Sequence, residues 1–399
     1  MAKTSEIIDR VWKDGSAIID NPAALDDSAL IREGIVRTEL GNGKVAFTRL
    51  KKLEQPRAEA GHKYQMPSFA DTAIALLKGG IEGRRSVNIC LTGAAGTGKT
   101  EFVYEAAKRA GFAKVFQING HIDLTARDFY GKSTVVVDEK TGQNYVTFEK
   151  GVLYRAFIEG TEVDANGNQV LYDANGNVTT GNDGQPRVVG KPGLFFLDEF
   201  AACDERVFLG VMNRAMEIKR DPMDCRTIEV AEDGGRIVKA HPGFAIVLSG
   251  NTVGTGNNGA NQMGFTAQGN KMDESTLSRI TEFFKFGYSK AAERAIAERY
   301  LGDDEDVDNL MLLRDKLRSL AKQGTCQRVF TTRHIVQICD CASSLKPFTR
   351  QYMKEALRHS VFEGLDEDDK QCWNEAIRFV YGWDYIAEDA NSNAEYDYF

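Results

Sequence analysis

From Pro67 onward, short apolar runs alternate with stretches of helical spacing. Ser68 to Lys78 predicts a helix, and Val87 to Leu91 is a short apolar run that ends in glycines, as a buried parallel strand does. Thr100 to Ala110 predicts a second helix, and Lys114 to Ile118, Leu194 to Leu197 and Phe244 to Leu248 predict further strands. Helical stretches such as Asp204 to Ile218 lie between them. This βαβα order predicts an α/β fold, a parallel sheet with helices on both faces.

Two stretches interrupt the order. Thr134 to Phe148 predicts a hairpin turning at Lys140-Thr141-Gly142. Thr161 to Val189 holds a repeat, Asp164-Ala165-Asn166-Gly167-Asn168 and Asp173-Ala174-Asn175-Gly176-Asn177. A calcium loop wants its glycine in sixth place and a closing glutamate, and neither is present, so hairpin turns are expected. Ahead of the α/β region, Ile7, Ile8, Val11 and Trp12 have helical spacing, and Thr38 to Leu50 reads as a hairpin around Gly41-Asn42-Gly43. The polar stretch Gln55 to Lys63 reads as a linker. After about Ser289 the strand signals vanish. Lys290 to Tyr300, Asp306 to Lys322, Thr332 to Ser344 and Phe348 to Phe362 all predict helices. The expected domains are an N-terminal extension (1–62), an α/β domain (63–288, with hairpins inserted at about 133–148 and 161–189), a helical domain (289–386) and a fraying acidic tail (387–399).

Composition narrows the class. With 399 residues, 42% hydrophobic and 27% charged, the chain reads as a soluble globular protein of two or three domains. A net charge of −8 argues against a general polyanion binder. No run approaches the roughly 20 apolar residues of a membrane helix, and the start has no signal-peptide stretch, so a cytoplasmic location is expected. The seven cysteines are scattered, and Cys339 and Cys341 have no clustered Cys or His partners for zinc. Reduced, mostly buried thiols are expected.

Two motifs carry chemistry. Gly93-Ala94-Ala95-Gly96-Thr97-Gly98-Lys99-Thr100 fits the pattern G-x-x-x-x-G-K-[ST] between a predicted strand and a predicted helix. Its backbone N–H groups, with the positive end of the following helix, suit phosphate oxygens. Lys99 would reach the β- and γ-phosphates, Thr100 would place its hydroxyl on Mg²⁺, and Glu101 closes the candidate nucleotide-binding set. Second, Leu194-Phe195-Phe196-Leu197 delivers Asp198 and Glu199 at a strand end, where open α/β sheets place ligands. Asp198 would hold Mg²⁺ opposite Thr100, and Glu199 would orient the attacking water.

Ala240-His241-Pro242-Gly243-Phe244 leads through another strand to Gly250-Asn251-Thr252-Val253-Gly254. A glycine- and asparagine-rich stretch to Asn270, expected to be a flexible loop, follows. Then come Leu277-Ser278-Arg279 and, later, Thr331-Thr332-Arg333 at a helix start. In this order of motifs, over roughly Pro67 to Phe362, the chain resembles the AAA+ ATPases and, within them, the MoxR group. It is most similar there to the cobaltochelatase small subunit, by Ala240 to Phe244 and Gly250 to Gly254, and Gly151-Val152-Leu153-Tyr154-Arg155-Ala156 resembles the group's segment ahead of the acidic strand. The resemblance implies a P-loop AAA+ core with a helical lid, ATP and Mg²⁺ as cofactors, Asn251 as sensor 1, Arg279 as a finger reaching a neighbour's γ-phosphate, and Arg333 as sensor 2. It also implies a homo-oligomeric, hexameric ring whose partner is a protein, in this group often one with a von Willebrand A domain.

Blander readings stand beside these. Asn251 could cap a turn, Arg279 could pair with Asp273 or Glu274, and Arg333 could be a surface residue of a lid helix. The stretch His121 to Gly131 could face a pore or be a plain surface loop. The insertion before the acidic strand and the segment Asp273 to Ser278 depart from the chelatase pattern. The expected function is ATP hydrolysis at subunit interfaces of a ring that remodels a partner macromolecule. The alternatives are the ATPase subunit of a cobaltochelatase-type complex, a nucleic-acid-associated motor, which the acidic balance disfavours, and a nucleotide-binding scaffold with little turnover.

Overall fold

A computed structural model describes residues 6–7, 10–11, 16–20, 35–41, 44–49, 64–137, 144–181, 183–219, 225–251, 264–265 and 270–392. The chain divides into two compact units, Met1–Tyr64 and Gln65–Phe399. In the first, β1 (Ser16–Asp20), β2 (Ile35–Gly41) and β3 (Lys44–Arg49) form an antiparallel sheet in the order β1-β3-β2. The β2–β3 pair is the hairpin expected at Thr38 to Leu50; β1 is an addition to it, and Asn42, Gly43 and the stretch Gln55 to Lys63 lie outside the described residues. Ile7 and Val11, one helical turn apart, are buried with Ala17, Val45 and Phe47 in a small core.

The second unit is built on β4 (Val87–Gly93), β5 (Lys114–Asn119), β11 (Gly193–Asp198), β14 (Ala245–Gly250) and β17 (Glu282–Phe286), in the spatial order β17-β4-β14-β11-β5. All neighbours pair in parallel; Leu194 stands between Val115 and Ala245. β4, β11 and β14 are buried at every position, so they read as continuous apolar runs. Phe195 and Leu197 join a core with Tyr154, Phe157 and Phe208, while the alternate Leu194 and Phe196 turn to the other face. β17 is the strand the apolar-run criterion misses. It is an edge strand with Phe283 half exposed, and it pins Phe284 and Phe286 against Phe69.

Helix α1 (Ala70–Ile81) and helix α2 (Lys99–Ala110) pack together beside this sheet; α2 spans its expected segment, and α1 overlaps Ser68 to Lys78 but is shifted toward the C-terminus. The short helices α3 (Ala126–Tyr130) and α4 (Val152–Ile158) flank a hairpin of β6 (Gly131–Val137) and β7 (Asn144–Lys150). That is the first expected insertion; its turn lies outside the described residues. In the second, β8 (Leu171–Tyr172) pairs with β9 (Val178–Thr179) and β10 (Gln185–Pro186). Asp164 and Asp173 each accept the backbone N–H groups two and four residues on, so both repeat units are turns, as expected. The helix expected over Asp204 to Ile218 runs continuously over residues 205–215, with a π-helical stretch inside it. That stretch, Phe208–Met212, lies between Glu205–Val207 and Asn213–Ala215. A hairpin of β12 (Thr227–Val230) and β13 (Arg236–Lys239) follows, and the short pair β15 (Gly264–Phe265) and β16 (Asn270–Lys271) flanks a stretch that lies outside the described residues.

Beyond Ser289 the chain is helical: α5 (Lys290–Leu301), α6 (Asp304–Lys322), α7 (Thr332–Leu345), α8 (Tyr352–Ser360), α9 (Glu367–Tyr381) and α10 (Tyr385–Ser392). They enclose a separate core around Leu310, Phe330, Ile338 and Trp373. Two expectations are corrected here. Cys326 and Cys372 are joined by a disulfide across 46 residues, so the chain does not hold seven reduced thiols. That pairing is set by the packing of α9 on the loop before α7, and so distant a pair leaves no local signal. The stretch from Ala387, expected to fray, is helical as far as Ser392. The fully buried Tyr385 anchors it, its hydroxyl donates to the Lys354 carbonyl at 2.7 Å, and Lys354 binds Glu388 at 2.5 Å.

Candidate active site

Because the five strands run parallel, their C-terminal ends share one edge of the sheet. β4 ends at Gly93 and opens into the glycine-rich loop, β11 ends at Asp198, β14 leads to Asn251 and β5 ends at Asn119. The loop closes on α2, whose first residue is Lys99. Within it, the Thr97 hydroxyl donates to the Ala94 carbonyl at 2.9 Å. Gly96 lies at φ +69°, and a side chain there would run into Thr331 at 3.0 Å and Arg333 at 3.4 Å. The start of α7, with Arg333, thus lies close beside the loop.

Lys99 is 6% exposed. Its ammonium donates to the carbonyls of Gly93 (2.9 Å) and Ala94 (3.0 Å) and to Asn251 Oδ1 (2.9 Å). Burial pulls its pKa below the usual lysine value; the carboxylates of Glu199 and Asp198 oppose that, and Arg333 adds to it. The Thr100 hydroxyl donates to Asp198 Oδ2 at 2.8 Å. The other Asp198 oxygen accepts the Glu199 N–H at 3.1 Å and the Ser249 hydroxyl. Asn251 Nδ2 donates to Glu199 Oε2 at 3.0 Å. One amide therefore joins the ammonium of Lys99 to the carboxylate of Glu199. Glu199 itself sits at φ +53°, the one non-glycine residue with positive φ among those described. Gly120 presses on this corner; a Cβ there would lie 2.3 Å from the Glu199 carbonyl oxygen.

The structure thus gathers Lys99, Thr100, Asp198, Glu199 and Asn251, with Gly93, Ala94, Ala95, Gly96, Thr97 and Gly98 forming the loop and Arg333 beside it. Glu101 lies exposed on the first turn of α2. Arg279 is not brought in. Asn88, near the opposite end of β4, donates to its carbonyl at 2.6 Å, about 16 Å of strand away from Gly93. The Arg279 guanidinium folds back onto the Ser275 carbonyl, and its buried Nε has no hydrogen-bond partner among the described residues. No ion pair joins it to Asp273 or Glu274 among the described residues, although its charge helps to hold the Asp273 carboxyl below the usual range, after the Ser275 and Glu274 hydrogen bonds. His241 takes no part in the site. Its Nδ1 accepts the Gly243 N–H at 2.9 Å and its Nε2 faces the Gly190 carbonyl at 3.1 Å, so the His-Pro-Gly segment is a turn at the start of β14.

Residues that sequence reasoning passed over complete the picture. Gln117 donates to Asn119 Oδ1 at 2.8 Å and lies 3.4 Å from Asp198 Oδ2, and Ser249 is fully buried against the same carboxylate. Their signal was position: each falls within two residues of the end of a strand adjoining β11. Asn88 and Arg226 carry no such signal. Asn88 Oδ1 accepts from the buried Arg226 guanidinium at 2.7 Å, while its amide donates to the Met216 and Arg279 carbonyls. Burial lowers the Arg226 pKa to about 9.

Residues 88–280 match the family described as AAA domain (dynein-related subfamily). No curated protein matches the chain. Among solved structures, a candidate ATPase from Cytophaga hutchinsonii is 15% identical, with 78% of this chain and 89% of that one covered and a TM-score of 0.35. A single-residue mutant of RuvB from Thermotoga maritima is 12% identical, with 82% and 81% covered and a TM-score of 0.41. The fold assignment rests on the parallel sheet, the helices that flank it and the family match. Over residues 88–280, therefore, the chain carries an AAA domain of the dynein-related subfamily, an ATPase domain.

Proposed function

We propose that this protein is a ring-forming AAA+ ATPase of the MoxR kind that hydrolyses ATP at its subunit interfaces to remodel a partner protein. The convergence of Lys99, Thr100, Asp198, Glu199 and Asn251 at one sheet edge carries the reading. The loop amides and Lys99 would hold the triphosphate; on binding, the ammonium would exchange its loop carbonyls for phosphate oxygens. The Thr100 hydroxyl and the Asp198 carboxylate, 2.8 Å apart, are hard oxygen donors that suit Mg²⁺ with its retained waters. Bound there, the ion would neutralise charge on the β- and γ-phosphates. Glu199, held by Asn251, would orient the attacking water and accept its proton. Arg279 stands too far from its own phosphate loop to serve it, which supports a role in a neighbour's site and hence an oligomer.

The likeness to the cobaltochelatase small subunit rests partly on Ala240 to Phe244, which here forms a turn, so it adds no support for metal insertion. Among the described residues no helix is long and apolar enough to cross a membrane. The decisive experiment traps the assembly with Glu199→Gln and ATP and identifies what co-purifies. That variant should bind ATP while hydrolysis falls by about 100-fold or more. Full turnover in it would overturn the role given to Glu199.

A further inference from the structure

The lid helices bury a charge the site does not use. Glu293 of α5 is 0% exposed, an expensive place for a carboxylate unless its partners are held firmly. Arg318 of α6 grips it with both terminal nitrogens, at 2.6 and 2.9 Å, and Arg314 approaches at 3.3 Å. Its fourth contact is the Thr332 hydroxyl, at 2.5 Å, on the residue before Arg333. Arg318 also donates to the Phe330 carbonyl at 2.8 Å, so it holds the loop into α7 directly at Phe330 and through Glu293 at Thr332.

The other side of Arg318 leads back to the phosphate loop. Its guanidinium lies over the Tyr288 ring, 3.9 Å from the centroid, a cation–π contact. The Tyr288 hydroxyl donates to the Ala95 carbonyl at 2.9 Å, inside the glycine-rich loop. Tyr288 sits two residues beyond β17, where the chain passes from the sheet to the helices. One unbroken series thus runs from Ala95 through Tyr288, Arg318 and Glu293 to Thr332, and it ends beside Arg333.

We propose that Tyr288 is a positioning residue: through Arg318 and Glu293 it ties the phosphate loop to the helix that carries Arg333, so that nucleotide binding at the loop and placement of Arg333 are one event. This rests on the reading of Gly93 to Thr100 as the triphosphate site. An apolar core would have held the same helices together with less desolvation cost. What the charged series adds is directionality, since each bond fixes the next group in one orientation.

The test compares full-length wild type with Tyr288→Phe, Thr332→Val and the double substitution. It reads binding of ribose-labelled fluorescent ATP, the split between KM and kcat, and the nucleotide-free Tm. Tyr288→Phe keeps the ring under Arg318 and removes only the hydroxyl. Each single substitution should weaken labelled-ATP binding about threefold to tenfold, with KM rising accordingly and Tm within about 2 °C of wild type. The double should be no weaker than either single, because a serial link cut twice is still one cut link. Unchanged binding in Tyr288→Phe, or losses that multiply in the double, overturns the proposal. Should Thr332→Val fail to fold, Arg318→Lys, which keeps the charge and loses the fork, takes its place. Lys99→Ala runs alongside. If it binds labelled ATP like wild type, the nucleotide-site assignment itself falls. If it loses binding while Tyr288→Phe retains it, the tie alone falls.

Discussion

Glu199 occupies backbone space that L-residues avoid, at φ +53°, at the end of a fully buried strand. Such a residue costs of order 1 kcal/mol and persists where its surroundings hold it. Here Asn251 holds the carboxylate. Glu199→Gly should therefore raise Tm by about 1–4 °C while abolishing ATP turnover; thermal melts and a phosphate-release assay read the two effects. A lowered Tm would show that no strain is stored there.

His334 makes the second residue-scale prediction. It is 8% exposed, its Nδ1 accepts the Thr331 N–H at 3.2 Å, and its pKa is pushed down to about 4 by burial first, then by Arg328, Arg333 and Arg318. The unfolded chain takes up this proton near pH 6.5 and the folded one only near pH 4, so stability is lost as pH falls between those values, by roughly 3 kcal/mol at most. His334→Gln can still reach back to the Thr331 N–H but cannot take the proton. Its Tm should fall less than that of wild type between pH 7 and pH 4. At this scale, motif residues were legible because a short pattern states its own chemistry, as Gly93 to Thr100 does. Tyr288, Asn88 and Arg226 were not, because the partner that gives each its meaning lies a hundred or more residues away.

Among the strands of the central sheet, the fully buried ones were the plainest in the sequence. β4, β11 and β14, covered on both faces, announce themselves as apolar runs. β17 alternates, and one of its phenylalanines faces outward, so no apolar run marks it. Helix α9 begins with acidic residues behind an Asp366 cap and ends at Gly382, start and stop signals that a reading by apolar spacing passes over. The disulfide between the α6–α7 loop and α9 belongs to this scale. In the chain-entropy account, closing 46 residues stabilises the fold by about 4 kcal/mol. Reductant should lower the Tm of wild type and leave Cys372→Ser unmoved; a thiol count of seven in non-reduced, unfolded protein would show the bond is absent.

For the whole molecule, the decisive geometry is that Arg279 and the phosphate loop lie toward opposite ends of the same strand. If Arg279 completes a neighbour's site, then Arg279→Ala should bind nucleotide and hydrolyse it poorly, and Lys99→Ala should do neither. Mixing the two should restore part of the turnover, because some interfaces then pair an intact loop with an intact arginine. No recovery at any ratio would argue that Arg279 acts, if at all, within its own chain.

That separation has a consequence for regulation. Were Arg279 to act on a neighbour's nucleotide as proposed, a solitary copy would keep its nucleotide intact, and dilution alone would silence it. The rate per chain would climb steeply with concentration and then level off once every copy has neighbours. Whatever governs encounters between copies would then set when ATP is consumed, with no dedicated inhibitor needed.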